Sequence, residues 1–301
     1  MSEKLKTRFG GISFKNPVVT ASGTFNFGRE FGEFYDISRL GGIATKGLTM
    51  EPRTGNTGIR IWETPSGIIN SIGLENPGVD AFIEKEWPRL ASTGMVTVVN
   101  VGGKDEESYL AAIEKLNTIP AQLIELNISC PNVKAGGMMY GVSPEMAADI
   151  TKKVVALSNH PVMVKLSPNV TDIAAIAKAC EEAGAMGISL VNTFQAMAVD
   201  YKKKSIVFDN IYAGLSGPAI KPIALRMTHQ VVKAVNIPVM AMGGIATWED
   251  ALEFIMVGAT CVQVGTMSFV DPCTAIKVVE GLEAYCEEQG LANIDEVRGI
   301  L

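Results

Sequence analysis

Histidine is nearly absent: 2 in 301 residues, His160 and His229. His160 directly precedes Pro161 at the start of an expected strand, and His229 falls within an expected helix, away from any strand end. A histidine metal centre and a Ser-His-Asp relay are therefore not expected. Five cysteines are present (Cys130, Cys180, Cys261, Cys273 and Cys286), but no two stand two to four residues apart. That spacing excludes zinc-ribbon and iron–sulfur motifs on this chain, and no disulfide framework is expected in a cytosolic protein. Basic excess is also missing. The net charge is −6, and Lys202–Lys204 is the one basic run, which reads as a solvated loop, so no nucleic-acid partner is implied. No apolar stretch approaches the roughly 20 residues that span a bilayer. Met1–Thr7 is polar and lacks an apolar h-region, so no signal peptide and a cytoplasmic location are expected.

What is present is a large core: 47% hydrophobic and 19% charged residues. No Pro/Ser-rich linker interrupts residues 1–301, which read as one domain. Arg8–Phe14, with Gly10-Gly11 at its centre, reads as a hairpin closing the bottom of the fold. One theme then repeats: a short apolar strand, a polar or glycine residue at its end, and an amphipathic helix. Strands are expected at Val18–Ala21, Gly42–Lys46, Thr97–Val101, Leu123–Ile128, Val162–Leu166, Gly187–Asn192, Val239–Met242 and Cys261–Gly265. Helices are expected near Gly28–Tyr35, Val79–Ala91, Glu106–Asn117, Pro144–Leu157, Thr171–Ala183, Pro218–Val235, Thr247–Val257 and Thr274–Glu288. Ser143-Pro144, Thr171-Asp172 and Thr247 with Asp250 supply helix-start signals. Alternating strands and helices of this number close as a (β/α)8 TIM barrel, commonly about 250 residues long. A doubly wound open sheet is the alternative, but Ala21-Ser22-Gly23 after the first strand is not the glycine fingerprint that such a sheet carries.

Three connections exceed what a barrel needs: Leu48–Pro77, Pro131–Val142 and Thr193–Gly217. All leave the C-terminal ends of strands, where barrel active sites are built. In Leu126–Asn132, alternation puts Glu125, Asn127 and Ser129 on one face, and Pro131 stops the strand with Cys130 at its mouth. A free cysteine is commonly a small buried hydrophobe; here it stands beside a Gly- and Met-rich loop expected to act as a lid. Ser22, Lys46, Asn100, Asn127, Lys165 and Asn192 stand at equivalent strand ends. Lysines and asparagines left unpaired in a core would be costly. Their chemistry suits a flavin: amides for a heterocycle edge, and ammonium groups where a reduced isoalloxazine gathers negative charge. Gly217, Gly243, Gly244, Gly265 and Thr266 offer backbone N–H groups for a phosphate after the last strands. The loop Asn70–Gly78 gathers amides and backbone N–H groups suited to a planar polar ligand bearing a carboxylate.

These motifs together resemble the class 1 dihydroorotate dehydrogenases, and more closely the catalytic subunit of their NAD-dependent B type. The resemblance runs through Ala21–Thr24, Thr45–Gly47, Asn70–Gly78, Val99–Val101, Asn127–Asn132, Lys165–Pro168, Val191–Thr193, Gly214–Pro222, Met242–Ile245 and Val264–Thr266. It implies FMN-dependent oxidation of dihydroorotate to orotate in pyrimidine biosynthesis, with one FMN per chain. It further implies that Cys130 is the base, and that Ser22, Lys46, Gly47, Asn100, Asn127, Lys165, Val191 and Gly217 line FMN. The phosphate would sit on Gly243, Gly244, Gly265 and Thr266. Lys46, Asn70, Asn127, Asn192, Thr193 and the backbone of Ser71, Ile72, Gly73 and Leu74 would hold the substrate.

The B type implies a partner subunit carrying FAD and an iron–sulfur cluster, in a heterotetramer with a homodimer core. No cluster-type cysteine spacing or nicotinamide fingerprint occurs in this sequence, and no metal ligands are assigned to it. Three rivals remain: the fumarate-dependent A type, a dihydropyrimidine dehydrogenase-like reductase, and a flavin-free phosphate-binding barrel lyase. The class 2 enzymes differ in an N-terminal extension and a serine base.

Overall fold

The computed structural model describes residues 3–129 and 140–301. Cys130 and positions 131–139 of the expected lid lie outside the described residues. Eight parallel strands close into a barrel: β3 (Val18–Thr20), β4 (Gly42–Ala44), β7 (Val96–Val101), β8 (Leu123–Asn127), β9 (Val162–Lys165), β10 (Gly187–Leu190), β15 (Val239–Met242) and β16 (Cys261–Val264). Every residue of these strands is buried, as their near-continuous apolar runs require of a parallel sheet covered on both sides. Helices such as Glu106–Leu116, Pro144–Leu157, Ile173–Glu182 and Lys221–Ala234 form the outer layer. The N-terminal hairpin, β1 (Thr7–Phe9) and β2 (Ile12–Phe14), is antiparallel, as expected.

Alternation along each strand divides the chain's chemistry by height. Leu123, Met163, Val98, Cys261 and Met240 pack with Phe9 and Phe14 of the hairpin as an apolar plug. Two residues further along the same inward faces stand Glu125, Lys165, Asn100 and Gln263, all buried. Ile124, Leu126 and Ile128 point the other way, into the core shared with the helices. The barrel interior is thus sealed with hydrocarbon below and polar above.

The helix starts read from the sequence are occupied. Ser143 accepts from the N–H of Met146, Asp172 from those of Ala174 and Ala175, and Thr247 and Asp250 form a reciprocal capping box. Two helix expectations need correction. Gly28–Tyr35 is not an α-helix but gives way to short 3₁₀ turns at Glu30–Glu33 and Ile37–Arg39. Gly28, with φ +80°, and Gly32 raise the cost of a segment already too short to propagate a helix. The helix through Val79–Ala91 is interrupted by a π turn at Phe82–Glu86; Pro88 follows it and has no N–H to donate to the preceding turn.

Two of the three long connections, expected as loops, contain strands. β5 (Ile61–Thr64) and β6 (Gly67–Asn70) form a hairpin; β11 (Phe194–Met197) and β14 (Tyr212–Ser216) join it in the antiparallel order β11-β14-β6-β5. β12 (Val199–Asp200) and β13 (Ser205–Ile206) add a small ribbon. The four-stranded sheet stands beside the barrel mouth, because Ile61, Ile68, Asn70 and Ser216 all line the cavity there. Gly217 makes the junction possible: with φ +102°, it lies so close to Gly67 that a Cβ would stand 2.6 Å from the Gly67 Cα.

Candidate active site

The cavity at the C-terminal mouth is floored by the polar layer of the barrel. Glu125, fully buried, receives Asn100 Nδ2 at 2.5 Å on Oε2, and Ser189 Oγ at 2.7 Å and Gln263 Nε2 at 3.1 Å on Oε1. Lys165 Nζ stands 3.9 Å from Glu125 Oε2. One step higher, Asn127 Nδ2 donates to Asn100 Oδ1 at 3.2 Å. Asn127 Oδ1 accepts from Ser129 Oγ at 2.8 Å, and Asn192 Nδ2 donates to the same hydroxyl at 2.8 Å. Tyr109, from the helix outside the strand, donates to the Asn127 carbonyl at 2.8 Å. The strand end leading to Cys130 is therefore fixed from both sides of the sheet.

One wall is built from loops after β15 and β16. Gly243 and Gly244 have φ of +125° and +79° and press against the start of the helix Lys221–Ala234. A Cβ on Gly244 would stand 2.7 Å from the Lys221 backbone nitrogen, and one on Gly243 2.8 Å from the Ala224 Cβ. Backbone, not side chain, faces the cavity here. Thr266 follows Gly265 and donates to Ser216 Oγ at 2.8 Å, tying this wall to the accessory sheet. Lys221 Nζ is engaged by Asp250 at 2.6 Å and Glu253 at 2.9 Å.

The opposite wall carries Lys46 and the loop after β6. Burial lowers the Lys46 pKa, Glu75 opposes that effect, and Arg60 adds to it. Arg60 and Glu75 pair at 2.6 Å on the rim. Asn76 shapes the loop, donating to the Leu74 carbonyl (2.7 Å) and to Thr49 Oγ1 (2.8 Å) and accepting from the N–H groups of Thr49 and Gly78. Leu74 is held at φ +56°, which carries its side chain over Gly47; a Cβ there would stand 3.2 Å from Leu74 Cδ2.

The structure brings Ser22, Lys46, Gly47, Asn70, Ile72, Gly73, Leu74, Asn127, Lys165, Val191, Asn192, Thr193, Gly217, Gly243, Gly244, Gly265 and Thr266 into the lining of one cavity. Asn100 lies one layer beneath it, holding Asn127 and Glu125. Ser71 turns its hydroxyl away to Asn56 and Asn210, at 3.1 and 3.2 Å. The sequence reading missed Gln263, Ser216, Ile61, Ile68 and Phe269, which also line the cavity, and the bonding of Glu125 below it. The alternation that placed Glu125 beside Asn127 was the available signal.

Elsewhere, Cys180 and Cys261 are buried, and burial pushes the Cys180 thiol up to about 12. Among the described residues no cluster of three or more His, Cys, Asp or Glu side chains is arranged to hold a metal, and no helix is long and apolar enough to cross a membrane.

The sequence pattern described as dihydroorotate dehydrogenase matches residues 4–286. A protein from Petrotoga mobilis named dihydroorotate dehydrogenase B (NAD(+)), catalytic subunit, is 52% identical over 98% of this chain and 99% of its own. Proteins of the same name from Alkaliphilus metalliredigens and Bacteroides thetaiotaomicron are each 49% identical, over 99% of this chain and 98% of theirs. With a closed eightfold barrel, a lysine–asparagine floor and full-length matches of this kind, the chain belongs to the dihydroorotate dehydrogenase family.

Proposed function

We propose that this chain is the catalytic subunit of an NAD-dependent dihydroorotate dehydrogenase, oxidising dihydroorotate to orotate with FMN in the mouth cavity. The observation that carries this reading is the floor: a buried ammonium, Lys165, and a buried amide, Asn127, open to a cavity whose far wall is glycine backbone. The donor set fits FMN. Gln263 Oε1 is buried among the cavity-lining groups without a hydrogen-bond partner among the described residues. Among the described residues Lys165 has only a long ion pair below it, which leaves its charge available to a heterocycle above. Side chains on Gly243 or Gly244 would collide with the helix behind them, consistent with a backbone cradle for a phosphate.

Ser22, Gly47, Asn127, Lys165, Val191 and Gly217 would hold the flavin ring, with Asn100 acting from beneath through Asn127. Gly243, Gly244, Gly265 and Thr266 would hold the phosphate. When bound, FMN supplies the acceptor for the hydride that leaves carbon 6 of dihydroorotate. Lys46, Asn70, Asn192 and Thr193, with the backbone of 71–74, would orient the pyrimidine and its carboxylate, and Leu74 would exclude water above Gly47. Cys130 would receive the proton from carbon 5 at Sγ. An unperturbed thiol titrates near pH 8.5, so turnover limited by chemistry should rise with pH until the thiolate is populated.

The relatives' names specify NAD(+) and a catalytic subunit. Carried to this chain, they support an electron-transfer partner subunit; that this partner bears FAD and an iron–sulfur cluster, on a homodimer core in the cytoplasm, is our proposal from the family resemblance of the sequence motifs. The test is anaerobic mixing of the flavin-loaded chain with dihydroorotate, for wild type and Cys130→Ser. Rapid bleaching in wild type and a loss of orders of magnitude in the variant are expected. Reoxidation by NAD should need the partner subunit, whereas ready reoxidation by fumarate alone would transfer the chain to the A type. A colourless protein that does not take up FMN would overturn the reading.

A further inference from the structure

Glu125 is a full carboxylate at the centre of the barrel, with no exposed surface, one strand from Lys165 and below the cavity. A charge in that position is tolerated only when it is paired and hydrogen-bonded. Three neutral donors, from Asn100, Ser189 and Gln263, occupy it, and the one ion pair it makes among the described residues is with Lys165. The donors come from three different strands, so the carboxylate cannot swing without breaking several bonds. The Lys165 side chain above it, 5% exposed, has no such set among the described residues: Glu125 Oε2 at 3.9 Å is its ionic partner, and its other side is the cavity.

We infer that Glu125 is the positioning residue for Lys165: it anchors the ammonium at the cavity floor and offsets part of its positive charge. The inference rests on the proposed flavin site. The consequence is electrostatic. A buried ammonium with no counter-charge favours electron uptake by a ring above it more strongly than one paired from below, because charges interact strongly where water is excluded. Glu125 therefore keeps the electron affinity of the site down, which eases onward delivery of electrons.

The discriminating variant is Glu125→Gln, close in shape and lacking the charge. The readouts are the midpoint potential of the bound flavin and its affinity for sulfite, neither of which requires turnover. At least a tenfold tighter binding of sulfite is expected. The potential should rise correspondingly, by about 30 mV for each tenfold change in a two-electron equilibrium. A potential and sulfite affinity unchanged within threefold, or lowered, would overturn the inference while leaving the flavin reading intact. A wild-type chain that takes up no flavin would overturn both. Should the single variant not fold, Glu125→Asp keeps a carboxylate in the core but draws it back from the Lys165 ammonium. A smaller rise in potential is expected there, and a wild-type potential would sink the idea.

Discussion

Asn127 donates its side-chain amide to Asn100 Oδ1 at 3.2 Å, and Asn100 passes its own amide to Glu125 at 2.5 Å. Two asparagines near the ends of neighbouring strands thus stand at different heights and have unequal duties: Asn127 faces the cavity, whereas Asn100, level with Glu125, is wholly buried beneath it. Asn100→Ala would leave an amide and a carboxylate each short of a partner. Unsatisfied buried groups cost about 1–3 kcal/mol each, so a loss of roughly 2–6 kcal/mol in urea unfolding is expected. Asn100→Asp should be worse at neutral pH, because it sets two carboxylates against each other, and should partly recover as acid protonates one. A surface-like cost under about 0.5 kcal/mol for Asn100→Ala would show that the network does not hold the floor together.

The wall behind Gly244 has its own pH dependence. Asp250 is partly buried, which on its own would raise its pKa. Bonds from Lys221 and from the N–H groups of Ala246 and Thr247 outweigh that and hold it below the ordinary carboxylate value. A lowered folded pKa gives stability that is present above the unfolded value, about 3.9, and is lost as pH falls through the folded one. Asp250→Asn should therefore melt lower than wild type at pH 5–8, and the gap should close below about pH 3.9. A gap that persists undiminished at pH 2–3 would mean that the residue acts through shape and not charge.

Gly244 takes φ +79° with the Lys221 backbone pressed against it. Gly244→Ala adds a left-handed cost of roughly 1–2 kcal/mol to a backbone collision, so the wall must move. A lower melting temperature and weaker FMN retention are expected, with partial recovery in excess FMN, since a ligand that binds the folded state stabilises it by mass action. Unchanged FMN affinity would separate this wall from the cofactor.

The barrel was legible in the sequence because each strand is a short apolar run between turn residues and several helices announce their starts. The accessory sheet was not. Ile61–Thr64 and Phe194–Met197 are partly exposed strands without a buried run; the first pairs with its neighbour Gly67–Asn70, but the second meets Tyr212–Ser216 only after an intervening ribbon. Most strand-end residues expected at the mouth line one cavity, because position at the end of a barrel strand is a local property. Their bonding is not local. Glu125 meets Ser189 and Gln263 across 64 and 138 residues of chain, and nothing around Glu125 in the sequence announces either. Ser71 likewise faces Asn210, 139 residues away.

Lys46 provides the alkaline test of the substrate side. Burial lowers its pKa from the ordinary lysine value, and Glu75 on the rim partly restores it. If the Lys46 ammonium holds the carboxylate of orotate, binding must weaken as that ammonium loses its proton, at a pH below the ordinary value of about 10.4. Glu75→Gln removes the opposing carboxylate, so the loss of affinity should begin at lower pH than in wild type. Arg60→Gln removes a neighbouring positive charge and should move it the other way. Both shifts can be read from the perturbation of flavin absorbance by orotate between pH 7 and 10.5. Because Arg60 and Glu75 are paired with each other, opposite shifts from their removal would separate an electrostatic effect on Lys46 from simple loss of the rim pair, which would move both variants in the same direction.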